Sequence, residues 1–598
     1  MPRESTELCA NQPLNGANAT ATSASDVLNN LELASIIVSF LKDTASIGTP
    51  PQDSSKFAPS MLSGESRREL AALARVNRTF FDATIEVLWA AMDSLLPMLS
   101  MQKTTKVGKE ATILRPLSGV TLCHAASGAG NPAGYWTAHW QRFEMYAART
   151  KTLMLDRPKF LAAGRARVLH LMTSKARSAA LFPALKHVSL SSADSLCLCV
   201  ALSVVPQLKF LGIHFDDEGT CAALLAIIIV HQTDGGLQEL TIAQPVTYTA
   251  LSYIHQIGSI TCLSLQLPAG DISKLELKLL AKLPSLKKLS LDQEVDMNDT
   301  ETPNILPLQS FDNAFSRAAK MPALEDLTVK SNGLALFTVA TQLSPSSLKT
   351  LHLKVRADPV NKQAFLIPAV ITAFALRNRS LISLSAGYDR PRTRVASTAI
   401  DGLVRDCHLR YHQYQTLVAT LSDLQELAEL RLRLIPFFHH GIYMALLPMA
   451  RNLPKLRYLE LFLHVVVTTP VDADHVLPTL RDLESISRGY KQLRVLKVPC
   501  HDLTSIPQVP KDYVSQHPLA TLGVISAAMM NDFTEDTLIA FAQYLHSLFP
   551  NLQDLSSVHK NIPDTLKLWS HLEKLLKSFQ AIRAEAIQDM SMSAESAS

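Results

Sequence analysis

A leucine pattern that recurs from residue 185 onward constrains most strongly how this chain can fold. The unit is Leu-x-x-Leu-x-Leu, with Ile or Val at some positions, and about a dozen copies follow at irregular spacings. The clearest copies are Leu185-Val188-Leu190, Leu208-Leu211-Ile213, Leu237-Leu240-Ile242, Ile260-Leu263-Leu265, Leu286-Leu289-Leu291, Leu324-Leu327-Val329, Leu348-Leu351-Leu353, Leu427-Leu430-Leu432, Leu456-Leu459-Leu461 and Leu493-Leu496-Val498. Leu381-Leu384, Leu519-Leu522-Val524 and Leu552-Leu555 are weaker copies.

The last two apolar positions of each copy alternate with other residues, as in a strand that buries one face. The segments between copies, such as 222–231 and 275–283, have helical apolar spacing. One strand and one helix per repeat at this period indicate leucine-rich repeats, which bury their apolar faces only by stacking. We therefore predict an α/β leucine-rich-repeat solenoid with irregular repeats and parallel strands on the concave face. The Asn that usually follows the last leucine is mostly missing, so no ladder of Asn side chains is expected.

Composition agrees with a long folded array. The chain is 47% hydrophobic and 18% charged. Its 598 residues are too many for one compact domain unless repeats stack. A net charge of +4 gives no electrostatic reason to expect nucleic acid or a membrane surface. The 8 cysteines are scattered, as in a reducing compartment, and no apolar run is long enough to cross a bilayer. We expect a cytoplasmic or nuclear protein.

Candidate catalytic and metal-binding groups are weak. His408 and His412 are four residues apart, but Leu409 stands where a zinc protease has its catalytic Glu. Cys197 and Cys199 would point to different faces of a helix, so apolar packing is favoured over metal binding. A nucleotide-binding α/β fold would carry a glycine-rich phosphate turn after a strand, and none is found. We expect no enzyme activity, no metal and no cofactor.

The segment 70–89 has apolar residues at helical spacing and ends in Trp89. Upstream, Leu33, Ile37 and Leu41 are four residues apart on a shorter helix. These helices form a small unit with little room for a core, which favours burial of an apolar face against something else.

This arrangement resembles the F-box, and the segment LARVNRTFFDATIEVLWAAMDSLLPML is similar to that of fungal F-box proteins with leucine-rich repeats. The resemblance implies an all-α module that binds a Skp-type adaptor and through it a cullin-RING ubiquitin ligase. The residues it implies for adaptor binding are Leu33, Ile37, Leu41, Leu73, Val76, Phe80, Leu88 and Trp89. The alternatives are a cap on the following domain, or, for Phe80, packing inside the module, because one of Phe80 and Phe81 must face inward.

The predicted organisation has six parts. Residues 1–25 form a disordered tail, 26–100 the F-box-like domain, and 101–149 a linker and cap in which Trp140, Phe143 and Ala147 share a helical face. Residues 150–560 form the solenoid, 561–587 a capping helix, and 588–598 a disordered tail. The capping helix places one apolar face at Leu566, Trp569, Leu572, Leu576, Phe579 and Ile582.

Residues between the framework leucines line the concave face of a leucine-rich repeat. Here they are mixed in charge with some aromatic positions, a composition that favours a protein ligand. The candidate substrate-binding residues are Phe210, His214, Lys288, Lys330, His352, Lys354, Tyr458 and Phe462. The F-box-like module and the repeat face together suggest a substrate receptor of a Skp–cullin–F-box ligase. A non-ligase interaction scaffold is the alternative.

Overall fold

The computed structural model describes one residue near the N-terminus and most of the repeat region. The described residues are 36, 64–92, 141, 144–155, 182–190, 207–214, 218–231, 236–269, 272, 275–294, 318–356, 366–388, 411–433, 452–461, 479–500, 506–508, 515–526, 534–557 and 563–597. Contact clustering divides the chain into unit 1, Met1–Ser189 with Asp194–Gln207, and unit 2, Leu190–Ala193 with Leu208–Ser598.

Helices and strands alternate along most of the described chain. The helices are α1 (Gly64–Leu73), α2 (Arg78–Ala90), α3 (Glu218–His231), α4 (Tyr248–Ile254), α5 (Gly333–Gln342), α6 (Leu366–Arg377), α7 (Tyr411–Ser422), α8 (Leu480–Gly489), α9 (Glu535–Leu548) and α10 (Pro563–Ala597), with a 3-10 helix at Leu277–Lys282. The strands are β1 (Ala91–Met92), β2 (Thr152–Leu155), β3 (His187–Leu190), β4 (Phe210–Ile213), β5 (Glu239–Pro245), β6 (Cys262–Leu267), β7 (Lys288–Gln293), β8 (Ala319–Met321), β9 (Asp326–Ser331), β10 (Leu343–Pro345), β11 (Thr350–Val355), β12 (Ser383–Tyr388), β13 (Glu429–Arg433), β14 (Tyr458–Leu461), β15 (Val495–Cys500), β16 (Thr521–Ser526) and β17 (Asp554–Ser557).

Unit 1 contains a helical hairpin followed by short strands. Helices α1 and α2 pack against each other, and Asn77 caps α2 by accepting a hydrogen bond from the backbone N–H of Phe80 at 2.8 Å. Strand β1 follows α2 directly and pairs in parallel with β2, with Ala91 opposite Thr152.

Unit 2 is built on a long parallel sheet whose strands follow sequence order. The order is β4-β5-β6-β7-β9-β11-β12-β13-β14-β15-β16-β17. Each strand lies beside its neighbour in register, apart from one irregularity between Ile242 and Pro245. This one-strand-per-repeat order is the architecture of leucine-rich repeats, so the predicted α/β repeat fold is confirmed for unit 2.

The framework residues of all the repeat copies are buried. Among the three weaker copies, Leu381 and Leu519 are 0% exposed and Leu555, at 7%, is the most exposed framework residue of any copy. In-register stacking explains this burial, because Leu-x-Leu places both leucines of each strand on the same side of the sheet.

Side chains other than Asn make a partial ladder at the ends of β7 and β9. Gln293 and Ser331 each lie two residues after the last framework position and are 0% exposed. Gln293 Nε2 donates to the backbone oxygen of Pro268 at 2.8 Å, and Ser331 Oγ donates to Gln293 Oε1. Although no Asn ladder is expected, side-chain hydrogen bonds are present at the ends of β7 and β9.

The helices of unit 2 form a second layer, in which α3 contacts α4, α5 contacts α6, α6 contacts α7, α8 contacts α9 and α9 contacts α10. The predicted helix at 222–231 is confirmed as part of α3, and the segment 275–283 contains the 3-10 helix. The sequence did not indicate the two-stranded parallel pair of β8 and β10, which packs beside the 3-10 helix. No helix within the described ranges combines the length and apolar character of a membrane span.

The C-terminal helix is longer than predicted. Helix α10 continues through 588–597, beyond the capping helix predicted for 561–587. Trp569, Leu572 and Leu576 are buried as expected, whereas Ile582 is 61% exposed and does not belong to the packed face. Of the predicted cap residues in 101–149, Trp140 and Phe143 lie outside the described residues and Ala147 is buried.

Candidate functional site

The strand register aligns the non-core side chains of unit 2 in three rows on one face of the sheet. The first row contains Phe210, Glu239, Cys262, Lys288, Asp326, Thr350, Ser383, Glu429 and Tyr458. The middle row contains Thr241, Ser264, Ser290, Thr328, His352, Ser385, Arg431, Glu460 and Lys497. The third row contains Asp292, Lys330, Lys354, Gly387 and Arg433.

Six of the eight candidate substrate-binding residues lie in these rows. Phe210, Lys288 and Tyr458 are in the first row, His352 is in the middle row, and Lys330 and Lys354 are paired in the third row. His214 directly follows β4 and is exposed. Phe462 lies outside the described residues.

The Lys330 ammonium group is not free, because it and Arg356 both pair with the carboxylate of Asp292. Its Nζ is 3.7 Å from Asp292 Oδ2, and the guanidinium of Arg356 also binds Asp292. Arg356 Nη1 additionally donates to the backbone oxygen of Gln293 at 3.1 Å. Asp292 and Arg356 are 64 residues apart in sequence, so only the register of β7, β9 and β11 reveals the cluster.

Tyr458 is the centre of a second cluster, on β13, β14 and β15. Its hydroxyl donates to Glu460 Oε2 at 2.7 Å, and its ring lies beneath the Arg431 guanidinium, 4.1 Å from the centroid. Arg433 Nε donates to Glu460 Oε1 at 2.6 Å, and Lys497 Nζ is 5.9 Å from the ring centroid. Tyr458 is therefore engaged by its neighbours: its ring packs against Arg431, and its hydroxyl binds Glu460, which also holds Arg433.

Glu460 keeps its charge although its side chain is only 1% exposed. Burial acts to raise the pKa of its carboxyl, but hydrogen bonds from Tyr458 and Arg433 outweigh it and hold the pKa below its usual value. Burial, with the bond to Glu460, raises the pKa of Tyr458 to about 12. The phenol is therefore a constant donor and the carboxylate a constant acceptor across the neutral range.

His352 is half-buried, and burial lowers the pKa of its imidazole. It therefore contributes a neutral, hydrogen-bonding ring at neutral pH. In the part of the chain that the structure describes, no three His, Cys, Asp or Glu side chains gather in a way that could hold a metal ion.

The helical hairpin places the candidate adaptor-binding residues in two environments. Phe80 is 4% exposed and Trp89 is 9% exposed, and the Trp89 indole stacks on Tyr146 with ring centroids 4.4 Å apart. Both side chains are packed in the core of unit 1, which for Phe80 is the alternative that the sequence left open, and their role in adaptor binding stays a prediction. Of the two phenylalanines, Phe80 is the one that faces inward.

The remaining hairpin candidates are accessible. Val76 is 56% exposed in the turn between α1 and α2, and Leu73 and Leu88 are half-buried. Leu33, Ile37 and Leu41 lie outside the described residues, whereas Ile36, between them, is 60% exposed.

Comparison with known proteins gives only distant similarities. No protein-family model matches the chain, and no curated protein matches it. A crystal structure of the Rad7 and Elc1 complex in yeast is similar with a TM-score of 0.29 and 14% identity, over 77% of this chain and 98% of that chain. A leucine-rich-repeat protein of Leptospira interrogans is similar with a TM-score of 0.23 and 14% identity, over 64% of this chain and 98% of that chain. The repeat architecture of unit 2 therefore stands on its own strand order and register.

Proposed function

We propose that this chain is a substrate-recognition subunit of a Skp–cullin–F-box ubiquitin ligase, without catalytic activity of its own. The stacked repeats form a solenoid whose polar rows bind a protein substrate, and the N-terminal helices bind the adaptor. Holding a substrate near a ubiquitin carrier raises the local concentration of its lysines, which is how a non-catalytic receptor drives a reaction.

The observation that carries the substrate-binding half is the in-register polar face. Side chains from β4 to β15 form continuous rows, and these rows mix charge with an aromatic ring, as protein-binding surfaces do. Arginine and tyrosine, which dominate binding energy at many interfaces, are fixed there by Glu460.

The adaptor-binding half is supported by the resemblance of 70–89 to the F-box and by the exposed end of the hairpin. In the described part of the hairpin, Val76 and the half-buried Leu73 and Leu88 are the accessible members of the proposed contact. When a partner covers apolar groups that are this exposed, their removal from water stabilises the complex.

A second candidate function is a leucine-rich-repeat interaction scaffold outside any ligase. It is favoured by the packing of the hairpin inside unit 1, where Trp89 stacks on Tyr146 and the backbone N–H of Lys151 donates to Ala90 O at 2.9 Å. In this reading the helices only cap the end of the repeats.

Co-purification with a Skp-type adaptor separates the two functions. The comparison uses the full chain and the variant Val76→Asp, with Val230→Asp on α3 as a matched control, since Val230 is 70% exposed. The ligase proposal expects capture by wild type and by the control but at least about tenfold weaker capture by Val76→Asp. Folded wild-type protein that captures no adaptor would instead support the scaffold.

A further inference from the structure

On β12 the rows of unit 2 carry small residues, Ser385 and Gly387, between larger side chains of the neighbouring strands. In the middle row Ser385 lies between His352 and Arg431, and in the third row Gly387 lies between Lys354 and Arg433. We call this part of the face the β12 notch: Ser385 and Gly387 on β12, with β11 on one side and β13 on the other.

Gly387 is required for the shape of the notch. A Cβ built on Gly387 would lie 2.5 Å from Arg433 Cβ and 3.1 Å from the Arg433 backbone oxygen. Atoms cannot approach so closely, so any side chain at this position would displace Arg433. The glycine therefore permits the close approach of the arginine to the centre of the notch.

The arginine positions are set by their neighbours, and donors remain available. Arg433 uses Nε for Glu460, and no described residue pairs with its two terminal nitrogens. Arg431 stacks on Tyr458, and its Nη2 is 3.4 Å from Glu429 Oε2. Their side chains are 58% and 40% exposed, respectively, so a ligand can reach both guanidinium groups.

The charge around the notch specifies the ligand. Lys354, Arg431, Arg433 and Lys497 lie beside Glu429 and Glu460, so positive charge is in excess around the notch. Lys354 and Arg433 are two strands apart, about 10 Å at the usual strand spacing, so their side chains can converge on one small anion. Arginine matches the planar geometry of a carboxylate with paired hydrogen bonds.

We propose that the β12 notch binds the carboxylate of an Asp or Glu side chain on a protein partner, and so selects substrates with an acidic segment. This inference rests on the proposed substrate-binding function of the face. An acidic segment complements this excess of positive charge, and its planar carboxylates match the paired donors of arginine.

The test is binding of fluorescein-labelled hexaglutamate to the full chain, measured by fluorescence anisotropy at fixed salt. Arg433→Gln and Lys354→Gln should each weaken binding by about tenfold or more, because each removes a charge-assisted hydrogen bond. Gly387→Ala should weaken it without changing the charge. Lys278→Gln, an exposed site on the 3-10 helix, is the control and should bind as wild type does.

Three results would overturn the proposal. The first is equal loss in Lys278→Gln, which would indicate unspecific attraction. The second is tighter binding of labelled hexaglutamine or of a phosphoserine peptide of the same length. The third is binding of labelled oligouridylate that outcompetes hexaglutamate, which would indicate a nucleic-acid surface. If Gly387→Ala does not fold by circular dichroism, Lys354→Gln and Arg433→Gln still decide the outcome.

Failure here is distinguishable from failure of the proposed function. A chain that captures an adaptor and a protein substrate, with the substrate unaffected by Arg433→Gln and Lys354→Gln, keeps its receptor role and loses only the notch. A chain that binds hexaglutamate through the notch but captures no adaptor keeps the notch and loses the ligase assignment.

Discussion

Trp89 stacks on Tyr146 with an interplanar angle of 20° and 4.4 Å between ring centroids. The pair joins the end of α2 to the helical turn at 144–147, so the aromatic ring that closes the F-box-like segment is used inside unit 1. This contact separates residues needed for folding from residues available for docking.

Trp89→Ala should therefore act on stability. Removing a large aromatic ring from a packed site costs about 3 to 5 kcal/mol, and the loss should appear as a lower denaturation midpoint of unit 1 in urea unfolding. Val76→Asp, at an exposed site, should leave the midpoint nearly unchanged. A Trp89→Ala protein as stable as wild type would contradict the packing role.

Ser331→Ala should destabilise unit 2, because it removes a donor from the buried Gln293 amide oxygen. Losing one partner of a buried hydrogen bond costs about 1 to 3 kcal/mol. Ser290→Ala is the matched control, since Ser290 lies half-buried in the middle row of β7. Chemical denaturation that shows equal midpoints for the two variants would argue against the ladder.

Glu460 should make stability depend on pH in the acid range. The folded pKa of its carboxyl lies below its usual value of 4.5, so its contribution is present above that value and is lost as pH falls through the folded pKa. Wild type should therefore lose more stability on acidification than Glu460→Gln, which cannot titrate. Parallel curves of unfolding free energy against pH for the two proteins would refute this coupling.

Cys262 should be a slow nucleophile at pH 8. Burial raises the pKa of its thiol from 9.0 to about 11, with Glu239 adding to the shift. The thiolate fraction is then about a hundredfold lower than for an ordinary cysteine, and alkylation depends on the thiolate. Peptide mass spectrometry after iodoacetamide treatment should show slow labelling of the folded chain and fast labelling in urea; equal rates would contradict the shift.

The repeat fold could be read from sequence because its signal is local. Three apolar positions such as Leu348, Leu351 and Leu353 define a strand and its buried side within one short segment, and all three are at most 1% exposed. Each strand pairs with the next in the same way, so a weak copy such as Leu519-Leu522-Val524 still aligns with its neighbours. The pair β8 and β10 left no such pattern, since three-residue strands have too few alternating positions.

The chemistry of the face was less predictable because it depends on register between distant segments. The sequence marks Tyr458 as a candidate substrate-binding residue, but gives no sign that Arg431, on another strand, covers its ring. The pairing of Arg433 with Glu460 likewise follows from how β13 and β14 align, not from any motif. For α1 and α2 the limit is different: apolar spacing identifies a face, but does not say whether Trp89 meets Tyr146 or a partner protein.

The sequential parallel pairing of unit 2 has a consequence for how such a chain can change over evolution. Since each strand bonds only to the one before and the one after, excising one whole repeat would bring two strands of the same kind together. The framework leucines would still meet leucines, while one column of recognition side chains would disappear. Loss or gain of a whole repeat would thus change what the protein recognises and leave its fold unchanged.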